Sequence, residues 1–205
     1  MSGKRATRLT PDQRREQLIG IGMEMLAERS LDELSTDEVA RRAGISRGLL
    51  FHYFDSKRDF YRAVVRTACD RFTAATDPDG SLEPVAWMRA FIAGFVAYVL
   101  EHRQVYLALV RGAAGGHPAV ADIVGEARQT LAHRLRDGQR RLGLPDGPRR
   151  ELACRAWMAF AEEAVTTWPA EGNGDDAREE LCAFIESSFV SLLGQLESPA
   201  TLTPR

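Results

Sequence analysis

Apolar residues recur every three or four positions through most of the chain, beginning with Leu18, Ile21 and Met25, with Ile19 and Leu26 beside them. That spacing lines one face of a helix. Its start is marked by Thr10-Pro11-Asp12-Gln13: Thr10 can cap, Pro11 suits the first helical position, and Gln13 can bond back to close a capping box. Ser35-Thr36-Asp37-Glu38 reads as a second capping box, opening a short helix that stops at Gly44. Ser46 caps a third helix. Ser56-Lys57-Arg58-Asp59 opens a fourth, which buries Phe60, Tyr61, Val64, Val65, Ala68 and Phe72.

Asp77-Pro78-Asp79-Gly80 is a turn and the expected junction between modules. Beyond it the pattern predicts helices near 82–101 and 104–112, a loose segment over Gly112–Gly116, and a helix over 118–142. A break at Leu144–Pro148 precedes two last helices near 149–168 and 175–197, joined by a hairpin turn from Pro169 to Gly174. No period-2 alternation suggests a strand. The expected fold is all-α with about nine helices: a three-helix helix-turn-helix head on a helical body. The expected divisions are a basic arm (1–9, with Lys4, Arg5 and Arg8), a helix-turn-helix domain (10–56), a connecting helix (57–79), a helical body (80–197) and a disordered tail (198–205).

Composition narrows the picture modestly. Apolar and charged fractions of 44% and 27% suit a globular chain. The absence of an apolar run of 18 residues and of a basic-apolar leader argues against membrane spanning and export, so a cytoplasmic protein is expected. Cys69, Cys154 and Cys182 are widely spaced without a C-x-x-C, which reads as inert thiols in a reducing compartment. Residues 1–66 carry net +3 and the remainder −5, compatible with DNA contact at one end. There is no nucleophile elbow, P-loop, dinucleotide fingerprint or H-E-x-x-H, and His102, His117 and His133 lack metal-ligand spacing. An enzyme, a cofactor and a metal are therefore not expected.

The informative stretch is TDEVARRAGISRGLLFHYF, Thr36 to Phe54. Two short helices that cross steeply need small or apolar residues at the crossing. Val39, Ala40 and Ala43 supply them, Gly44 permits a left-handed turn, Ile45 plugs the crossing, and Leu50 and Tyr53 face inward from the second helix. The outer face then carries Ser46, Arg47, Gly48, Leu49, His52 and part of Tyr53. Arg47 is its one long multi-donor group, suited to guanine O6 and N7, while Leu49 offers only apolar contact, as to a thymine methyl. His52, Tyr53 and Lys57 are placed for phosphates. Tyr53 also qualifies as core and His52 as a solvated side chain.

Residues 10–66 resemble the N-terminal domain of the TetR/AcrR family of bacterial transcription regulators. The family pattern appears as Thr36…Val39-Ala40…Ala43-Gly44-Ile45-Ser46…Gly48…Leu50-Phe51…Tyr53-Phe54…Lys57. Leu49 departs from the usual small or hydroxylated residue, and Phe51 from the usual Tyr. The resemblance implies DNA contacts from Thr36, Ser46, Arg47, Gly48, Leu49, His52, Tyr53 and Lys57, a homodimer through the last two helices on a palindromic operator, and a small-molecule cavity in the body. Trp87, Phe91, Phe95, Tyr106 and Trp157 are expected among the cavity walls, though each also suits plain core. Glu162 and Glu163 are the candidate acids facing a cationic or hydroxylated ligand, though at least one of them suits a solvated face better. The function expected is a ligand-responsive repressor of a neighbouring gene, with no membrane partner; the alternative is a ligand-independent adaptor or activator that recruits a protein.

Overall fold

The structure, a computed structural model, describes residues 9–31, 33–116, 120–144, 146–168 and 175–197. The expected basic arm (apart from Leu9), the Pro169–Gly174 joint, His117 and the 198–205 tail lie outside the described residues. Within them the chain forms nine helices and no strand: α1 (Pro11–Glu28), α2 (Thr36–Arg42), α3 (Arg47–Tyr53), α4 (Lys57–Ala75), α5 (Pro84–Glu101), α6 (Arg103–Ala114), α7 (Ala121–Arg141), α8 (Pro148–Thr167) and α9 (Asp175–Glu197). The all-α expectation holds, and most helix ends fall within two residues of the sequence reading. The Gly112–Gly116 segment is a partial exception, since α6 continues through Gly112 to Ala114.

Local chemistry explains the well-defined starts. At α1 the capping box closes in both directions: the Gln13 N–H donates to Thr10 Oγ1 at 3.2 Å, and the Thr10 N–H donates to Gln13 Oε1 at 3.0 Å. The box expected at α2 forms only halfway. Ser35 Oγ accepts from the Glu38 N–H at 3.5 Å, but the Glu38 carboxylate is taken by Arg41 and Arg42 instead of turning back to the cap. Charge-assisted bonds to two guanidiniums outcompete one neutral backbone donor.

The described residues fall into two compact units. Residues 1–69 with 104–124 form the first, residues 70–103 with 125–205 the second. The sequence division placed residues 80–197 together, whereas α6 and the start of α7 cluster with residues 1–69. In the first unit α1, α2 and α3 pack on one another around Leu18, Met25, Val39, Leu50, Phe54, Phe60 and Val64. Gly22 is where α1 meets α4: a Cβ there would lie 2.6 Å from Val64 Cγ2 and 3.0 Å from Phe60 Cζ.

In the second unit α5 is the central element, packing on α8 and α9. Among the described residues it is the one helix long and apolar enough to cross a membrane. Its Trp87, Met88, Phe91, Ile92, Phe95, Val96 and Val99 are instead buried in protein. The C-terminal end of α4 belongs to this unit and is held by Arg134 of α7, whose guanidinium donates to the Thr73 carbonyl, to Thr76 Oγ1 at 3.3 Å, and pairs with Asp77 at 3.1 Å. These bonds satisfy carbonyl and hydroxyl oxygens that a helix end leaves without intrahelical donors.

Candidate nucleic-acid interface

The α2–α3 crossing is built as a tight joint. Gly44 has φ +67°, a left-handed conformation that costs glycine nothing and other residues strain. The Ile45 N–H donates to the Ala40 carbonyl at 3.0 Å and the Gly44 N–H to the Arg41 carbonyl at 3.1 Å. That pair of bonds is a Schellman ending, which satisfies the last carbonyls of α2 and turns the chain toward α3. Val39, Ala40 and Leu50 are buried at the crossing as expected, while Ile45 is only half-buried and covers its edge.

From this joint α3 turns a distinct face outward. Ser46, Arg47, Gly48, Leu49 and His52 are exposed, Leu49 at 40%, and Tyr53 is half-buried with its ring edge-on to His52 at 5.6 Å. The Ser46 hydroxyl accepts the Leu49 N–H at 3.2 Å, so it caps α3 while remaining at the surface. Lys57 is exposed at the start of α4, its ammonium 5.1 Å from the Tyr61 ring centre. Thr36 is a correction. It is only 4% exposed, packed inside the first turn of α2, and so leaves the contact face.

Arg47 does not stand alone. Its Nη1 pairs with both carboxylate oxygens of Asp37, at 3.2 and 3.1 Å, and its Cζ lies 5.6 Å from the centre of the Phe51 ring. Sequence reasoning missed Asp37, which looked like part of a helix start. The partner is ten positions away, and only the α2–α3 crossing brings the two together. It also missed the pairing of Arg42 with Glu28 of α1, at 2.9 Å, which joins α1 to α2.

The Glu38 carboxyl is held down to a pKa of about 2 by hydrogen bonds from Arg41 and Arg42. A carboxyl depressed in the folded state contributes stability above its unfolded value, about 4, and loses it as the pH falls through the folded one. Glu38→Gln should therefore lower the melting temperature at neutral pH. The gap to the parent should narrow steadily below about pH 4, read from thermal melts over a pH series. A constant gap would mean the lost bonds are not charge-assisted.

The residues expected around a ligand behave differently. Trp87, Phe91, Phe95 and Trp157 are all buried in the second unit, and Tyr106 is buried in the first. Trp87 stacks on Phe91 at 5.9 Å, Phe95 meets Phe72 at 5.8 Å, and Trp157 donates to Ser188 Oγ at 3.0 Å and meets the Phe189 ring at 4.8 Å. The described clefts are not lined by these aromatics. Glu162 is not a free acid: Arg128 holds both its oxygens, at 3.1 and 2.9 Å, on the wall of an α7–α8 cleft of about 410 Å³. Glu163 is exposed.

Residues 18–64 match the family model for "Bacterial regulatory proteins, tetR family", and residues 84–192, more than half the chain, match "Tetracyclin repressor-like, C-terminal domain". The chain belongs to the TetR family. It is a transcription regulator with a helix-turn-helix DNA-binding domain, and its relatives are regulators, not enzymes. This TetR-family regulator is similar to the HTH-type transcriptional activator FasR of Mycolicibacterium smegmatis, at 25% identity over 80% of this chain and 76% of that protein. It is 34% identical to the transcriptional regulator AcuR of Cereibacter sphaeroides over 37% of this chain and 36% of AcuR. The HTH-type transcriptional repressor KstR2 of M. smegmatis is 32% identical over 47% of this chain and 49% of KstR2. The AcuR and KstR2 matches thus span about a third and a half of those proteins. A TetR-family transcriptional regulator from Streptomyces coelicolor superposes with a TM-score of 0.72 at 26% identity, over 93% of this chain and 90% of that one. Cys69 and Cys154 are buried and Cys182 is half-buried, and burial pushes the Cys154 and Cys182 thiols above their ordinary range.

Proposed function

We propose that this regulator acts as a homodimer on a palindromic operator, repressing a neighbouring gene until a small hydrophobic or amphipathic effector releases it. One observation carries the DNA half of the reading. Leu50 and Phe54 anchor α3 inward while Arg47, its long multi-donor side chain, stands outward on a rigid joint. In such a motif the second helix enters the major groove with its N-terminal residues at base edges. Arg47 reads guanine, Gly48 lets the backbone approach, and Leu49 touches a thymine methyl. Ser46, His52, Tyr53 and Lys57 hold phosphates.

The dimer is supported by an apolar surface on α8 and α9, where Leu152, Phe160, Phe184 and Val190 are exposed. Two copies place two recognition helices about one DNA turn apart, which matches a palindrome. Effector response is supported by the α7–α8 cleft, of a size that suits a small molecule. An effector that favours splayed heads weakens operator binding only by its differential affinity for that state. Repression needs no more than occupancy of a promoter, whereas activation also needs a surface for the polymerase; relatives are named both ways.

One observation favours the ligand-independent reading: the aromatics expected to line a cavity are packed against one another and against α9. Hydrophobic effector candidates that leave both melting temperature and operator affinity unchanged would support it. For the DNA half, Arg47→Ala should cost about 1–3 kcal/mol of specific binding in fluorescence-anisotropy titrations at fixed salt. Parent-like affinity in that variant would place the base reader elsewhere.

A further inference from the structure

We propose that Asp37 is a specificity-determining residue, selecting the edge of the Arg47 guanidinium that meets DNA. The inference rests on the reading of Arg47 as the base contact, and deepens it.

Both oxygens of Asp37 accept from the same nitrogen, Nη1, at 3.2 and 3.1 Å, so the carboxylate engages one corner of the guanidinium. The edge formed by Nε and Nη2 is left facing away from the carboxylate. An arginine has five N–H donors in a planar fork, and two parallel donors along one edge match guanine O6 and N7. The Phe51 ring, one helical turn along α3, lies against the guanidinium and limits its rotation. Phe51 replaces the tyrosine usual at this place, and the ring contact gives that position a role that needs no hydroxyl. Arg47 is thus restrained from two directions, by a residue of α2 and by a residue of its own helix.

Stability does not account for the pair. Arg47 and Asp37 are each 62% exposed, and an ion pair so open to water contributes little to folding. The neighbouring Glu38 already serves the head, through Arg41 and Arg42. A carboxylate beside the recognition helix also repels phosphates, so it lowers affinity for every sequence alike. Its return is discrimination. An unrestrained arginine on an exposed helix can swing to the nearest phosphate, which stabilises any duplex; a held one forms its two bonds where a guanine is presented.

The test uses the full chain and two probes: a duplex enriched by the parent protein from a randomised library, and a scrambled duplex of the same composition. Asp37→Asn should bind the scrambled duplex more tightly and lower the ratio of the two affinities by about tenfold. Its melting temperature should stay within about 2 °C of the parent. In an Arg47→Ala background the same substitution should leave the ratio unchanged, because no guanidinium remains to be held. Replacing the critical guanine of the enriched duplex by 7-deazaguanine should penalise the parent more than Asp37→Asn. If Asp37→Asn strengthens both probes by the same factor, or lowers the ratio equally without Arg47, the residue is only a repelling charge and the proposal falls. Failure of the underlying reading looks different: Arg47→Ala alone would then keep the parental ratio, and the positioning role would fall with it.

Discussion

Replacing Phe60 by alanine is expected to cost about 3–5 kcal/mol of stability and to abolish specific DNA binding at temperatures where the parent still binds. Phe60 is fully buried, its ring edge-on to Phe54 at 5.0 Å, and it lies against Gly22 of α1, where even a single added carbon would have no room. It therefore joins α1, the end of α3 and the start of α4. Removing the ring leaves a void that helices held by a capping box and a Schellman turn cannot readily collapse to fill. Folded domains are only marginally stable, so this loss is a large share of the total. Chemical unfolding followed by helical circular dichroism gives the energy, and anisotropy with an enriched duplex gives the function. Phe60→Leu should cost clearly less, because most of the volume remains. A Phe60→Ala variant within about 1 kcal/mol of the parent would mean that the head does not depend on this contact.

The same region shows why some of the fold was readable from sequence. Thr10, Pro11 and Gln13 act within one turn of each other, and Gly44 acts on the carbonyls just before it, so their roles are set by neighbours along the chain. Helix faces were readable for the same reason: Leu18, Met25, Leu50 and Phe60 follow the helical period and are buried. The half-formed box at Ser35 marks where this kind of inference stops. Glu38 had two kinds of local partner, and the choice between a backbone N–H and two guanidiniums is energetic.

The candidate site divides along the same line. Exposure of Arg47, Leu49 and His52 follows from period and from the tight turn. Thr36 was misplaced because a small hydroxylated residue at a helix start suits a phosphate contact and a buried first turn equally well. The body aromatics were harder still. Trp87 and Phe91 sit on α5 with the spacing of either a core stripe or a cavity wall, and periodicity carries no information about what fills the space opposite. Glu162 finds Arg128 across 34 positions of sequence, and Arg47 finds Asp37 across ten. Such pairs depend on how helices cross, a tertiary property that composition and spacing leave open.

The largest functional effect is expected from a single charge on the α8–α9 surface. Val190 is 62% exposed, on the side of α9 away from the buried Leu181, Ile185 and Phe189, so Val190→Asp should leave the isolated protomer folded. In the proposed dimer the same position is covered by a second copy, and two-fold symmetry enters every substitution twice. Burying an unpaired carboxylate in an apolar contact is costly, and two of them should separate the subunits at micromolar concentration. Each monomer then holds one half-site without the linkage that makes the second binding event intramolecular. The loss expected on an enriched palindromic duplex is about 10²–10⁴-fold, with little change in affinity for an isolated half-site. Sedimentation velocity reads the assembly and anisotropy reads the binding. Val190→Asp that sediments as a dimer and binds the palindrome like the parent would move the interface away from α9, whereas a monomer with unimpaired palindrome binding would show that operator recognition needs only one head.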